Sequence, residues 1–374
     1  MSWLPKRLDQ LGTVSRGRSR HRPRDAAHLY GGPHPFIQTG DVKHAGLYIN
    51  DYTQSYSDAG LAQSKLWPAG TLCITIAANI ADTAILGIDA CFPDSVIGFT
   101  PDPHEADARF VKYLFDATIK CRAQQFSQGA TQDNLSQEKL LSLEFDVPRA
   151  DEQTRVADVL SAYDDLIENN RRRMALLEES ARLLYREWFV RLRFPGHEHT
   201  RIVDGVPEGW ERKTLGECVT LNYGKALKSE IRVDGEYPVY GSSGIVGSHE
   251  RPLVKGPAII LGRKGNVGSV YWSSKSFYPI DTVYFVDSES SSLYLYYALK
   301  HMHFISTDVA VPGLNRDFAY SRPLLRPADT MLRAFLESVT PIHGQLDKLD
   351  EMNQKLRVAR DLLLPRLMNG ELLA

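Results

Sequence analysis

From Asp151 to Val190 the chain reads DEQTRVADVLSAYDDLIENNRRRMALLEESARLLYREWFV. Within it Leu160, Tyr163, Ile167, Asn170, Met174, Leu177, Ala181, Leu184 and Trp188 fall at alternating steps of three and four. That spacing keeps one side chain per turn on a single seam, as in helices that pair with helices. A second stretch repeats it 179 residues later, at Val339, Ile342, Leu346, Leu349, Asn353, Leu356, Arg360, Leu363 and Leu367. The same offset relates Leu135 to Leu314 and Pro148 to Pro327, just upstream of the helices. The chain is therefore a tandem repeat of globule, helix, globule, helix. A protein built this way reads or binds two similar things at a fixed separation.

At ~1.5 Å per residue the first helix is a rod of roughly 55–60 Å, far longer than a globule of this size needs to cover. The two helices are expected to pair through Leu160, Ile167, Asn170, Met174, Leu177 and Leu184 on one, and Ile342, Leu346, Leu349, Asn353, Leu356 and Leu363 on the other. Asn170 and Asn353 would fix register, at some cost in stability. Short connections favour antiparallel pairing, with a globule at each end and a pseudo-twofold axis. The bland alternative is that each helix packs only on its own globule. The expected class is α+β: two tandem α/β domains, each followed by a long helix, the helices forming an antiparallel coiled coil. The boundaries read 1–148 for the first globule, 149–193 for its helix, 194–206 for a linker, 207–327 for the second globule and 328–374 for the last helix and tail. That last helix is expected from about Asp329 to Leu364, with Pro365 ending or kinking it.

A length of 374 residues suits two domains, and 43% hydrophobic with 24% charged residues describes a soluble globular protein. The N-terminus carries no apolar signal region, and no run approaches the ~18 apolar residues of a membrane span, so a cytoplasmic location is expected. Four cysteines (Cys73, Cys91, Cys121, Cys218) form no CxxC, which points to reduced thiols without a structural zinc. A net charge of −2 neither supports nor excludes nucleic-acid binding through one face.

The globules read as mostly strand, with apolar runs at Thr71–Ala77 and Ala84–Ile88. A helix is expected over His104–Cys121, where Phe110, Leu114, Ala117 and Cys121 share a face. Trp210, Leu215 and Gly224 echo Trp3, Leu8 and Gly17 at an offset of 207. The offset shrinks to 179 by the end of the globule, so the first globule carries 28 extra residues. Variable globules between matched helices suit globules that carry specificity and helices that carry architecture.

Catalytic patterns are missing. There is no GxxxxGK[ST], no strand-GxGxxG-helix unit and no Asn/Asp-Pro-Pro-Tyr tetrapeptide. His197-Glu-His199 and His301-Met-His303 miss the HExxH spacing that sets two imidazoles on one helix face. Ser243 and Ser321 lie in no nucleophile elbow. No catalytic or metal-ligating residue is assigned.

Side chains suited to nucleic acid are easier to find. Arg16, Arg18, Arg20, Arg22 and Arg24 alternate with small or polar residues, and in an extended segment all five would track phosphates. A flexible, solvated basic loop is the competing reading. Lys225 and Lys228 follow Gly224 at the matching place in the second globule. Gly262-Arg-Lys-Gly-Asn266 sits between two apolar runs as a hairpin that presents Arg263, Lys264 and Asn266 together. Ser242 lies in the polar loop Tyr240–Ile245, Gln128 in the stretch 128–134 before the first helix, and Lys43 beside a turn with Gln38 and Thr39. For the stretch 128–134, a structural joint is as good a reading.

Together these segments resemble the specificity subunit of type I restriction–modification systems, over essentially the whole chain. Pro35-Phe-Ile-Gln-Thr-Gly-Asp-Val42 looks like the opening of a target-recognition domain. So does Tyr237-Pro-Val-Tyr-Gly-Ser-Ser-Gly-Ile-Val-Gly247, followed by Ile260-Leu-Gly-Arg-Lys-Gly-Asn-Val-Gly268. Asp151-Glu-Gln153, Ile167-Glu-Asn-Asn-Arg-Arg-Arg173 and Arg186-Glu-Trp-Phe189 resemble the central spacer helix, and Arg360-Asp-Leu-Leu-Leu-Pro-Arg-Leu367 with Asn369-Gly-Glu371 resembles the distal one. One departure is that Pro327-Ala-Asp-Thr330 lacks the Glu-Gln of the first helix start. The resemblance implies two target-recognition domains reading a split double-stranded DNA site, with the paired helices as a ruler. It implies no cofactor in this chain. Two methyltransferase subunits would bring S-adenosylmethionine, and restriction subunits, where present, ATP and magnesium. Asp164, Glu168, Tyr185 and Trp188 are expected at or near the methyltransferase docking surface; core packing is the alternative for Tyr185 and Trp188, and for Trp188 the stronger one. The rival reading is a DNA-independent, two-headed coiled-coil scaffold.

Overall fold

The computed structural model describes residues 3–77, 81–120, 136–305 and 313–372. The chain forms two compact units, Met1–Arg171 with Glu351–Ala374, and Arg172–Asp350.

In the first unit β1 (Leu4–Arg7) leads through a single helical turn, Leu8–Leu11, into β2 (Gly12–Arg16). A five-stranded sheet runs β2, β5 (Val96–Pro101), β3 (Leu72–Thr75), β4 (Thr83–Leu86) and the short strand Tyr48–Ile49. β3 and β4 are buried at every position, so their sequence is a continuous apolar run rather than an alternation. α1 (Ala108–Phe115) packs Phe110 and Leu114 into the core beneath this sheet. It starts four residues later than the sequence suggested, because Asp102 and its carbonyl hold residues 104–106 in a turn and Asp107 caps the helix. Past Phe115 the backbone widens into a π-helical turn, Asp116–Lys120; Cys121 lies outside the described residues. α2 (Gln137–Leu141) precedes β6 (Glu144–Val147), which pairs with β1.

The second unit repeats the plan with β7 (Glu211–Thr214), β8 (Asn222–Tyr223), β9 (Ala258–Gly262), β10 (Val270–Ser273), β11 (Val283–Val286), the helix Leu293–His301 and β12 (Pro323–Arg326). Its sheet runs β8, β11, β9, β10. The match holds at the level of register. Leu4 faces Val147, and their counterparts at offsets 207 and 179, Glu211 and Arg326, face each other. Leu72 faces Ile85 and Val96 faces Thr75; an offset of 187 turns these into Ile259 with Trp272 and Val283 with Gly262, again partners.

Two long helices complete the units. α3 (Ala150–Tyr185) is 36 residues long and ends in a π-helical turn, Arg186–Val190. α4 (Leu293–His301) is the counterpart of α1, α5 (Arg316–Tyr320) that of α2, and α6 (Asp329–Met368) is 40 residues long. α3 and α6 begin 179 residues apart, as the repeat requires. Pro365 neither ends nor visibly interrupts α6. It removes one N–H in the last turn, while Leu367 and Met368 are buried beyond it and the Asn369 N–H bonds the Pro365 carbonyl.

The helices run antiparallel within each unit. In the first, Asn170 meets Asn353, Asp164 meets Arg360, and Leu160 shares a core with Leu367. In the second, Tyr185 and Trp188 contact Phe335, and Ala181 shares a core with Ile342. The missing Glu-Gln also has a physical counterpart. Gln153 is fully buried and bonds the Glu105 and Pro148 carbonyls and the Asp107 N–H, tying α3 to its globule. Its counterpart Leu332 makes the joint by apolar packing.

Candidate nucleic-acid interface

In each unit the strand after the first helical turn is followed at once by a glycine that nothing else could replace. A Cβ on Gly17 would sit 2.3 Å from the Pro93 carbonyl oxygen, and one on Gly224 would sit 2.0 Å from that of Ile280. Both glycines donate to the strand behind, Gly17 to the Val96 carbonyl and Gly224 to that of Val283. The next residue is a cation held by its own N–H: Arg18 on the Phe92 carbonyl at 3.0 Å, Lys225 on that of Pro279 at 3.0 Å. The correspondence of Arg18 with Lys225 suggested by the sequence is thus built into the backbone.

The arginine row of the first unit is ordered but does not point one way. Gln63 Oε1 accepts the N–H groups of Arg20 and His21, and Ser64 donates to the Arg18 carbonyl. Beyond residue 20 the chain turns back. Arg16 and Arg24 therefore both reach Asp94, the first at its carbonyl and the second at its carboxylate, and Arg22 folds onto the Ser19 and His21 carbonyls. Alternation applies only while the backbone stays extended. Arg18 and Arg20 remain exposed, with guanidiniums unpaired among the described residues. Lys65, missed in the sequence, joins them: its ammonium lies 3.5 Å above the Trp67 ring. Burial lowers its pKa, and the Arg18 charge lowers it further.

In the second unit the hairpin 262–269 is locked. The N–H groups of Arg263 and Lys264 both donate to the Thr282 carbonyl, and Gly265 and Gly268 hold φ of +78°. Lys264 and Asn266 are exposed at its tip. Arg263 instead turns inward: its guanidinium carbon lies 4.9 Å from the Tyr223 ring centre, and Nη1 donates to the Asp281 carbonyl. Ser242 lies under the loop, its carbonyl accepting from Ser269 and Tyr271. Lys225 and Lys228 are exposed. Lys43 is exposed in the last turn of the short helix Thr39–His44. Gln128 lies outside the described residues.

The family model described as type I restriction modification DNA specificity domain matches residues 2–179 and 207–317, one match for each globule. The chain belongs to that family. Among similar proteins, the type I restriction enzyme MjaIX specificity subunit of Methanocaldococcus jannaschii is 24% identical, covering 99% of this chain and 93% of the other. The HindI specificity subunit of Haemophilus influenzae is 21% identical over 66% of this chain and 72% of its own. The crystal structure of a type I restriction–modification S subunit from M. genitalium shares the fold, with a TM-score of 0.59 and 20% identity over 98% of this chain and 96% of that one.

The heptad positions of this specificity-family chain are buried or partly buried. Leu160, Ile167, Asn170 and Asn353 are buried in the first unit, with Leu356 and Leu363 partly so. In the second, Leu349 is buried and Met174, Leu177, Leu184, Ile342 and Leu346 are partly buried. The docking residues are largely corrected. Asp164 is 8% exposed, accepts from Tyr113 Oη at 2.6 Å and pairs with Arg360, so its charge is spent inside the protein. Tyr185 is buried among Phe189, Tyr294, Tyr297 and Phe335, and burial pushes its hydroxyl pKa up. Trp188 packs on Phe189 and Phe335. Glu168 and Trp188 are only partly buried, and Glu168 is paired with Arg171. Among their charged residues the helices also expose large apolar side chains: Val159, Leu166, Met352, Val358 and Leu362 in the first unit, Leu176, Leu183 and Val190 in the second. Among the described residues no helix could cross a membrane, and no group of three His, Cys, Asp or Glu could hold a metal.

Proposed function

We propose that the chain is the non-catalytic, DNA-reading subunit of a type I restriction–modification complex, with each globule recognising one half of a split double-stranded target. The duplicated glycine–cation junction carries this reading: Gly17-Arg18 and Gly224-Lys225 are the same backbone device in two copies, each set beside further cations. The cations differ in identity and surroundings between the units, as two different half-sites require. Phosphate contacts would set register, and exposed tips such as Lys264 and Asn266 would read base edges. The long helices set the length of the unread spacer, and B-DNA returns the same face every ~34–36 Å.

Exposed apolar side chains recur at seven-residue steps along α3, Val159 with Leu166 and Leu176 with Leu183, so they fall on a common side of the helix, which supports a protein partner there. That partner is the methyltransferase subunit, two copies for two near-equivalent helix surfaces. S-adenosylmethionine and adenine methylation then belong to the partner, and ATP with magnesium to a restriction subunit where the system has one. The complex works in the cytoplasm, where its DNA is.

Footprinting the assembled complex on genomic DNA tests the reading. Two short protected motifs at one fixed spacing are expected, with affinity that falls steeply as salt rises. Binding that is salt-independent, or absent, would favour the DNA-independent scaffold.

A further inference from the structure

Tyr223, the last residue of β8, is 48% exposed and carries two guanidiniums from distant parts of the chain. Arg263 lies with its guanidinium carbon 4.9 Å from the ring centre, and Arg316, the first residue of α5, lies at 5.2 Å. At most about 10 Å, the two distances end to end, separates the charges, which is no more than about a Debye length. Lys225 follows two residues after Tyr223, and Lys264 follows Arg263. Among the described residues none of these four cations forms an ion pair. The scaffold holding them is rigid. Leu314 donates to the Arg263 carbonyl, Tyr284 Oη donates to that of Leu314, and Asn315 caps α5 through the N–H groups of Asp317 and Phe318.

Like charges held together without a counter-ion are an arrangement that an anion completes. We propose that Arg263, Tyr223 and Arg316 form a clamp for one phosphodiester of the DNA backbone, used by the second globule alone. The inference rests on the DNA-reading function proposed above. Three features favour a phosphate over a base. Both guanidiniums lie over the Tyr223 ring, Arg263 already spends Nη1 on the Asp281 carbonyl, and the pair offers charge rather than a matched donor–acceptor edge. The first unit has no equivalent among the described residues. The counterparts of Tyr223, Arg263 and Arg316 there are Arg16, Ile76 and Gln137, and Arg16 is engaged with the Asp94 carbonyl.

The test is a salt titration of duplex binding by the full-length chain, with target and scrambled duplexes. Arg316→Gln is expected to weaken both about tenfold and to make the log–log salt slope shallower by about one. Arg316→Lys keeps the charge and should recover part of the loss, while Lys355→Gln, out on α6, should change nothing. Unchanged affinity and slope in Arg316→Gln, beside a salt-dependent wild type, overturns the clamp and leaves the DNA-reading function standing. Loss confined to the target duplex overturns the phosphate assignment in favour of base reading. A wild type with no salt-dependent affinity overturns the clamp and the DNA-reading function together.

Discussion

Asn170 donates through Nδ2 to Asn353 Oδ1 at 3.0 Å, and the two residues are only 4% and 1% exposed. The repeat offset places Leu349 at the position of Asn170, and Met174 at that of Asn353. The amide pair therefore occurs once, between unlike helices. If α3 paired in the same register with α3 of a second copy, Asn170 would face Met174 and its amide would go unmet. Buried polar residues at a helix seam select partners in this way.

Separately expressed halves, divided at the linker near Gly196, should thus assemble with each other rather than with themselves. Asn353→Leu alone should lower stability by about 1–3 kcal/mol, because it strands the Asn170 amide. Leu at both positions should restore stability but permit like-with-like assembly. Light scattering of mixed and unmixed halves reads the difference. Equal self-assembly by the wild-type halves would show that the pair does not choose partners.

Tyr113, Asp164 and Arg360 join α1 of the first globule to both long helices. Asp164→Ala should destabilise the protein by roughly 2–4 kcal/mol, since it removes the buried carboxylate that Tyr113 and Arg360 share and leaves Arg360 only the exposed Asp361. Replacing Arg360 as well should recover much of that loss. Urea unfolding of the single and double variants checks both statements, and additive losses would contradict them.

The second unit makes the equivalent junction with a different group. His343 Nε2 lies 2.8 Å from Tyr297 Oη. Burial pulls the His343 pKa from 6.5 down to about 4, with Glu178 opposing the shift and Lys300 adding to it. The ring is thus neutral in the folded state and takes up a proton more readily when unfolded. Its contribution is intact above pH 6.5 and declines as the pH falls towards 4, by roughly 2 kcal/mol once solvent screening is allowed for. His343→Gln should flatten that part of the stability–pH curve, measured as the difference in urea midpoint from wild type. Parallel curves would sink the assignment.

Leu176 is 72% exposed on α3, so Leu176→Glu should leave the melting temperature unchanged. Co-purification with the methyltransferase should nonetheless drop by about tenfold or more, as expected when a charge enters an apolar contact. Full recovery of the complex would place the docking surface elsewhere.

How far the sequence reaches depends on how local the signal is. Heptad spacing located both helices, the short connections favoured their antiparallel sense, and the offset from Ala150 to Asp329 matched the repeat to the residue. The Gly262–Gly268 hairpin was legible because three glycines and a polar tip lie within one short loop. The cluster of Tyr223, Arg263 and Arg316 was not, because three separate segments meet there and no spacing rule joins them. Asp164 and Tyr185 read as surface candidates for a related reason. What buries them, Tyr113 and Arg360 for one and Tyr294 with Phe335 for the other, lies far away in the chain. The arginine row failed at a turn, where strand alternation stops.

The most direct test of the central claim is a map of adenine methylation across the source genome, with this gene present, deleted and restored. The account predicts that deletion erases one split motif of fixed spacing and that restoring the gene returns it. A methylome that carries such a motif and keeps it after deletion would contradict the claim that this chain reads the DNA.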